Sequence, residues 1–301
     1  MKSPGMEVLR RKIGDLRNLP AMPSVLHSLT ESLGSNADMV NIDRIVELIS
    51  YDKSLASQVL RMSNSALFRR RNEVTSLREG VISLGISRIR DLVYSCTLPM
   101  LFSNSKVGMA ATVFWRHALG TALVSQNLAQ RLGVVDIEKV YLAGLLHDLG
   151  ILVNSILFPQ EFLRVLQTAE TSERPLHEVE MEILGFSHCE SGRILADNWK
   201  LHESICDTIE FHHRGPQDSN AEVVCIVSLA DLLCRVRDLG YGYYEARQFD
   251  LAAEPAWSVL QKKYPAAGSL DLALFSFQLD EHAVEVRALV DSIFSGAPVS
   301  H

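Results

Sequence analysis

Leu142-Ala143-Gly144-Leu145-Leu146-His147-Asp148-Leu149-Gly150-Ile151-Leu152-Val153 is an aliphatic run interrupted by one imidazole and one carboxylate set side by side. An isolated buried carboxylate costs several kcal/mol or takes up a proton, so this pair demands partners from elsewhere in the chain. The wider apolar stretch, Val140 to Phe158, also carries Asn154, and three polar side chains disqualify it as a membrane span. The spacing predicts a helix capped by Asp136 that runs to Leu149 and stops at Gly150.

Outward from this run the apolar residues keep helical spacing, and alternating β-branched runs are nearly absent, so the chain reads as all-α. Upstream, prolines in Leu19-Pro20-Ala21-Met22-Pro23 fix a turn before a helix from Ser24 to Leu33. Asn41 reads as the cap of Ile42 to Ile49 and Asp52 as the cap of Lys53 to Asn64. Helices over Leu77 to Leu84 and Ser87 to Leu101 are divided by Gly85, and small polar residues from Ser103 to Gly108 mark a seam between two helical lobes. The second lobe opens with Ala111 to Leu132, closed by Gly133. It continues with Pro159 to Ala169, Leu176 to Leu184, Ser187 to Trp199 with Ser187 and Glu190 in capping-box spacing, His202 to His212, and Ala221 to Asp238. A Tyr-rich loop, Tyr241 to Tyr244, leads to helices near Leu251 to Lys263 and Asp280 to Phe294, for which packing is the expected role. The expected divisions are residues 1–106, 107–240 and 241–301, the last a helical extension packed on the core.

The chain has 301 residues, 47% of them hydrophobic and 22% charged, enough to bury a large core and too apolar for disorder. A formal net charge of -7 and a pI near 5.8 give no general attraction to phosphate backbones or anionic membranes. The one basic run, Arg69-Arg70-Arg71, lacks interleaved aromatics and reads as a solvated loop rather than a nucleic-acid contact. Five cysteines with no C-x-x-C pair argue against a disulfide framework or zinc ribbon and read as reduced core residues. The charged amino terminus, without an apolar leader segment, predicts a cytoplasmic protein.

Two further side chains are out of place. His117 shares its helical face with Phe114, Thr121, Val124 and Leu128, which points the imidazole into the core. Alone it reads as a hydrogen-bonded core histidine. Asp231 lies on a face with Val224, Val227 and Cys234, and either Arg235 or a cation must neutralise it. His188 begins a helix, and His212-His213 ends one, where each alone is a capping or surface histidine. Taken in order, His117, His147-Asp148, His188, His212-His213 and Asp231 are nitrogen and oxygen donors on separate helices, without thiolate. Such a set suits iron, manganese, cobalt, nickel or zinc better than calcium or magnesium.

This order resembles the HD superfamily of metal-dependent phosphohydrolases. Leu19 to Pro23, Ile49-Ser50-Tyr51-Asp52-Lys53-Ser54-Leu55, Ser63-Asn64-Ser65 and Gly80-Val81-Ile82-Ser83-Leu84-Gly85 are similar to the HDOD variety, the HD-related output domain. With Phe114-Trp115-Arg116-His117, Gly144 to Gly150 and Leu184-Gly185-Phe186-Ser187-His188, the resemblance spans residues 15 to 240.

The resemblance implies that the second lobe is an HD-type bundle holding two divalent ions, iron or manganese before zinc, cobalt or nickel. It places one ion with His117, His147, Asp148 and Asp231 and another with His188, His212 and His213, Asp148 bridging them. In active relatives a water between the ions attacks phosphorus. The cyclic-di-GMP hydrolases of this superfamily follow the pair with glycine and lysine, whereas here Gly150 precedes Ile151. They carry a Gly-Tyr-Pro loop where this chain reads Arg214-Gly215-Pro216-Gln217, and a glutamate that Val113 replaces. Arg116 and Arg214 are the candidates to bind phosphate in the missing lysine's stead. A bacterial signalling module with little or no catalysis, acting on a protein partner or a small signalling ligand, is the first expectation. An active phosphohydrolase of a nucleotide, cyclic dinucleotide or phosphoester is the second.

Overall fold

The computed structural model describes residues 4–14, 19–31, 42–65, 68, 73–102, 111–215, 221–237, 239–241, 250 and 253–294. The anticipated seam at 103–108, the basic run 69–71, the cap Asn41, Pro216 and Gln217, and most of the Tyr-rich loop lie outside the described residues. Among the described residues the chain is helical and has no strand: α1 (Pro4–Gly14), α2 (Ser24–Glu31), α3 (Ile42–Ser50), α4 (Lys53–Ser63), α5 (Leu77–Leu84), α6 (Ile86–Leu101), α7 (Ala111–Leu132), α8 (Ile137–Leu146), α9 (Leu149–Leu157), α10 (Pro159–Ser172), α11 (Leu176–Ile183), α12 (His188–Asn198), α13 (Glu203–Phe211), α14 (Ala221–Val236), α15 (Pro255–Lys263) and α16 (Leu272–Phe294).

These helices form two compact units, Met1–Ala21 with Asn104–Asp280, and Met22–Ser103 with Glu281–His301. The units therefore interleave along the chain, unlike the consecutive stretches 1–106, 107–240 and 241–301. The reason at the amino end is α1, an amphipathic helix within the charged amino terminus. Leu9 and Ile13 are buried on one face of α1, α1 packs against α12, and Lys12 lies over the Phe158 ring. At the other end α16 starts at Leu272 rather than Asp280, because Phe275 and Leu279 extend the buried stripe of Ala283, Val286 and Val290 by two turns.

In the smaller unit, α6 is the core helix, with Ile89, Leu92, Val93, Tyr94, Cys96 and Leu98 inside. It packs against α4, whose Leu55, Val59 and Met62 are buried and whose first turn is capped as expected by the Asp52 carboxylate, accepting from Ser54 N and Leu55 N. The Ser63-Asn64-Ser65 signature also gains a physical role. Asn64 both donates to and accepts from the Val74 backbone at 2.8 Å, so its amide substitutes for a peptide unit and pins the connection into α5.

In the larger unit, α7 is sandwiched by α8 and α14, while α12 packs on α9 and α13. Gly133, at φ 76°, follows the last turn of α7 as predicted. The helix expected to run from Asp136 to Leu149 is instead two: α8 ends at Leu146, His147 and Asp148 form the break, and α9 carries Gly150 inside it. Gly150 is no helix stop. A Cβ built there would lie 1.8 Å from the His188 carbonyl oxygen, and one on Gly192 would lie 2.9 Å from Gly150 N. The two glycines let α9 and α12 cross backbone against backbone. The segment Ile137–Leu157 is the one stretch long and apolar enough to cross a membrane among the described residues, and 94% of its most apolar 18-residue window is buried within the fold.

All five cysteines are buried and unpaired with one another. Burial pushes Cys225 up to about 11 and Cys206 up to about 12, far from the thiolate range. The metal-free native protein is therefore expected to react with a disulfide thiol reagent only as fast as it opens, and to release all five thiols in urea. A rapid stoichiometric burst from the folded chain would contradict this packing.

Candidate metal centre

The break between α8 and α9 turns Asp148 into the middle of the larger unit, where it is 1% exposed. Its Oδ2 lies 3.0 Å from His147 Nε2 and 3.5 Å from His117 Nε2. Its Oδ1 lies 3.2 Å from His188 Nε2 and 3.3 Å from His212 Nε2. Asp231, from α14, is 2% exposed and places Oδ1 3.0 Å from His117 Nε2 and 3.9 Å from His147 Nε2. His213 joins through its Nε2, 3.1 Å from His188 Nε2. The structure thus brings together all seven side chains read from the sequence as ligands. Four glycines permit it, since Gly144 seats α8 against Ala122 of α7 and Gly120 seats α7 against Leu239 and Cys234, as Gly150 and Gly192 seat α9 on α12.

The far side of each ring fixes its orientation. His117 Nδ1 donates to Leu239 O at 2.9 Å and His147 Nδ1 to Gly144 O at 2.8 Å. His212 Nδ1 donates to Ile209 O at 3.0 Å and His188 Nδ1 to Glu180 Oε2 at 2.6 Å. With Nδ1 of each ring turned to an oxygen acceptor, each Nε2 faces inward, the arrangement that metal-ligating histidines adopt. Within the cluster, Nε2 of His117, His147 and His212 and Oδ1 of Asp148 are buried without a hydrogen bond of acceptable geometry. Donors about 3.0–3.5 Å apart are what neighbouring ligands of one ion need when each bond is about 2.1 Å. The side chains fit a metal.

Electrostatics without an ion reflect the same crowding. Burial alone would raise the Asp148 carboxyl, yet His147, His188 and His212 hold it well below the usual carboxylate range. For Asp231 burial is likewise overridden, by Arg235 and then His117. Burial lowers His212, and lowers His213 further with the help of its neighbours His212 and Arg235, so both stay neutral and able to ligate. His147 and His188 are the exceptions: at His147 burial is outweighed by Asp148 and Asp231, and at His188 by the Glu180 charge, so both are raised.

Of the two partners posed for Asp231, the structure shows the arginine. Arg235 forks onto it at 2.7 and 2.8 Å, and His117 and His147 face its remaining side. A cavity of about 430 Å³ opens onto His212, His213, Asp231 and Arg235 and reaches His177 and Arg214. Of the phosphate-binding candidates, Arg214 lines this cavity and pairs with Glu190 of the Ser187 capping box, while Arg116 is not among its lining residues.

Four residues of the site escaped sequence reasoning. Glu180 is fully buried, accepts from His188 N at 2.7 Å and Nδ1 at 2.6 Å, and receives Asn154 Nδ2 at 2.9 Å. Its signal was available, because it shares the Leu176, Val179 and Ile183 face of α11 just as Asp231 shares an apolar face. His177 stacks on His213 with ring centroids 4.3 Å apart. Cys189 adjoins His188, and its thiol joins His188, His212 and His213 in one group of possible ligands. Tyr241, at the start of the segment assigned only to packing, donates its hydroxyl to Asp148 Oδ2 at 2.5 Å. Glu254, Pro255 and Ala256 from that segment also line the cavity, so packing is not its whole role.

Replacing Glu180 with Gln removes the charge behind His188 while keeping its size. Metal affinity at the His188 side is expected to fall about 10–100-fold, read by titration calorimetry, with a loss of about 1–3 kcal/mol in stability because the amide offers one acceptor oxygen to the donors of His188 and Asn154. Unchanged affinity would show that Glu180 only packs.

A helical bundle with histidines and aspartates converging on a helix break is the architecture of HD-type proteins. Residues 19–215 match the HDOD domain family, and the chain belongs to it. It is similar to an HDOD domain protein of unknown function from Geobacter sulfurreducens, with 30% identity and TM-score 0.85 over 96% of this chain and 97% of that one. A candidate phosphohydrolase from Shewanella amazonensis shares the fold at 22% identity, TM-score 0.71, over 95% and 98% of the two chains. An uncharacterised protein of Treponema pallidum is 27% identical over 224 residues, 73% of this chain. This chain spans 43% of that relative's length.

Proposed function

We propose that this chain is a bacterial, cytoplasmic signalling protein whose His-Asp cluster holds two divalent ions and which hydrolyses phosphoesters weakly or not at all. Iron or manganese suits the donor set best, with zinc, cobalt and nickel as alternatives. His117, His147, Asp148 and Asp231 would hold one ion, and His188, His212 and His213 the other, with Asp148 shared. The observation that carries the reading is the set of inward-facing Nε2 atoms around one buried carboxylate, beside cavity arginines already committed to Asp231 and Glu190. Resident cations would supply Lewis acidity toward a phosphoryl group. This chain's own contribution to phosphate binding is reduced, because Ile151 follows Gly150 and both Arg214 and Arg235 have carboxylate partners. The role left is recognition of a protein partner or a small signalling ligand.

The cavity beside His212 and Asp231 favours a second reading, an active phosphohydrolase, in which Arg214 leaves Glu190 to hold a phosphate oxygen. One assay separates the two. The protein is reconstituted with Mn²⁺ or Fe²⁺, its metal content measured, and bis-p-nitrophenyl phosphate and cyclic-di-GMP offered as substrates. Bound metal with no turnover above the His147→Ala and Asp148→Ala background is expected. Turnover that both substitutions abolish would establish the enzyme instead.

A further inference from the structure

We infer that the two halves of this centre are built for different metals, a hard ion beside Tyr241, ferric in place of one of the two divalent ions proposed above, and a softer divalent one beside Cys189; the inference rests on the metal-binding reading above and names what each half takes. On the Oδ2 side of Asp148 stand the Asp231 carboxylate, the rings of His117 and His147, and the Tyr241 hydroxyl. Tyr241 is only 9% exposed, and its ring sits 4.4 Å from the His117 ring. The backbone just before it is anchored, because Leu239 O accepts from His117 Nδ1. Three oxygens and two imidazoles make this half hard, and a phenolate is a strong ligand for ferric iron.

Oδ1 faces His188 and His212, His213 lies against His188, and the Cys189 sulfur lies with one ring nitrogen of each of these three histidines in a group whose atoms are all within 4.8 Å of one another. Cys189 is 1% exposed, and the Glu190 capping box fixes the first turn of α12 that carries it. His212 Nε2 on this side is buried and has no hydrogen bond. A thiolate among three imidazoles is a zinc-type donor set. Neither Tyr241 nor Cys189 stands in the ligand set that the family resemblance implies.

The chemistry balances without a redox partner. Ferric iron forms an Fe–O bond to Tyr241 as the phenol O–H breaks, and zinc forms a Zn–S bond to Cys189 as the thiol S–H breaks. Both protons pass to solvent, and no electron is transferred.

The test uses the full chain stripped by chelator and then given equal amounts of ferric citrate and zinc. Elemental analysis is expected to find both metals in equal proportion, with a visible phenolate-to-iron charge-transfer band. Tyr241→Phe should lose the band and the iron while keeping zinc. Cys189→Ser should keep the band and iron but lose the preference for zinc, and Cys206→Ser, away from the cluster, should change neither. Far-UV circular dichroism checks that each variant is folded. Both metals bound without sorting, or a band indifferent to Tyr241→Phe, overturns this inference alone. A wild-type chain that binds neither metal overturns it together with the metal-binding reading.

Discussion

Asp148→Ala is expected to abolish binding of both ions and to destabilise the metal-free protein by about 3–5 kcal/mol at neutral pH, the penalty for removing one side of a buried charge cluster. Each oxygen of Asp148 faces two imidazoles, so no other single change removes as much from the centre. The pH dependence follows from the direction of its shift. Folding depresses this carboxyl, so its stabilisation is complete above the unfolded value of about 3.9 and disappears as pH falls through the lower folded value. Denaturant unfolding of both proteins at neutral and at strongly acidic pH checks this. The gap between them should be wide at neutral pH and close in acid. An equal gap at both would mean that Asp148 acts by packing.

Gly150→Ala is the second large effect. Alanine has the better helix propensity by about 1 kcal/mol, so a substitution inside α9 would stabilise an isolated helix. Here the added methyl meets the His188 carbonyl oxygen at 1.8 Å and Gly192 N at 2.7 Å, both backbone atoms that move only if a helix moves. Overpacking of that kind costs about 1–3 kcal/mol and more where nothing can yield, so net destabilisation of about 3 kcal/mol is expected. His188 would also be carried away from Asp148, so metal affinity should fall in parallel. Gly268→Ala is the control, since a Cβ there meets nothing within 4 Å and should change stability by less than about 1 kcal/mol. Calorimetric melting of both variants decides it, and equal melting temperatures would refute the close helix crossing.

The contrast at Gly150 shows where sequence reading succeeded and where it failed. Helix ends governed by local chemistry were legible: Asp52 accepting from Ser54 and Leu55, Gly133 at positive φ, and Glu190 returning to Ser187 all lie within a few residues of the helix they cap. Gly150 has an equally local signature, yet its role is set by His188, 38 positions later in the sequence, which no local rule encodes. The same division runs through the site. His117 and Asp231 stood out because each is polar on an otherwise apolar helical face, and they face one another at 3.0 Å. Glu180 carried that signal too but sat between Glu178 and Glu182, which disguised it as a solvated acidic run. Tyr241 and Cys189 gave none, since a tyrosine in a loop and a cysteine in a helix are ordinary until the fold sets the first beside Asp148 and the second beside His212 and His213.

A metal centre requires that the inward Nε2 atoms surround cations. Elemental analysis of the untreated protein, repeated after chelation and reconstitution, measures this most directly. Two transition-metal ions per chain, lost from Asp148→Ala, are predicted. A folded chain that holds none before or after reconstitution would contradict the metal centre and leave these histidines and aspartates as a network that neutralises itself.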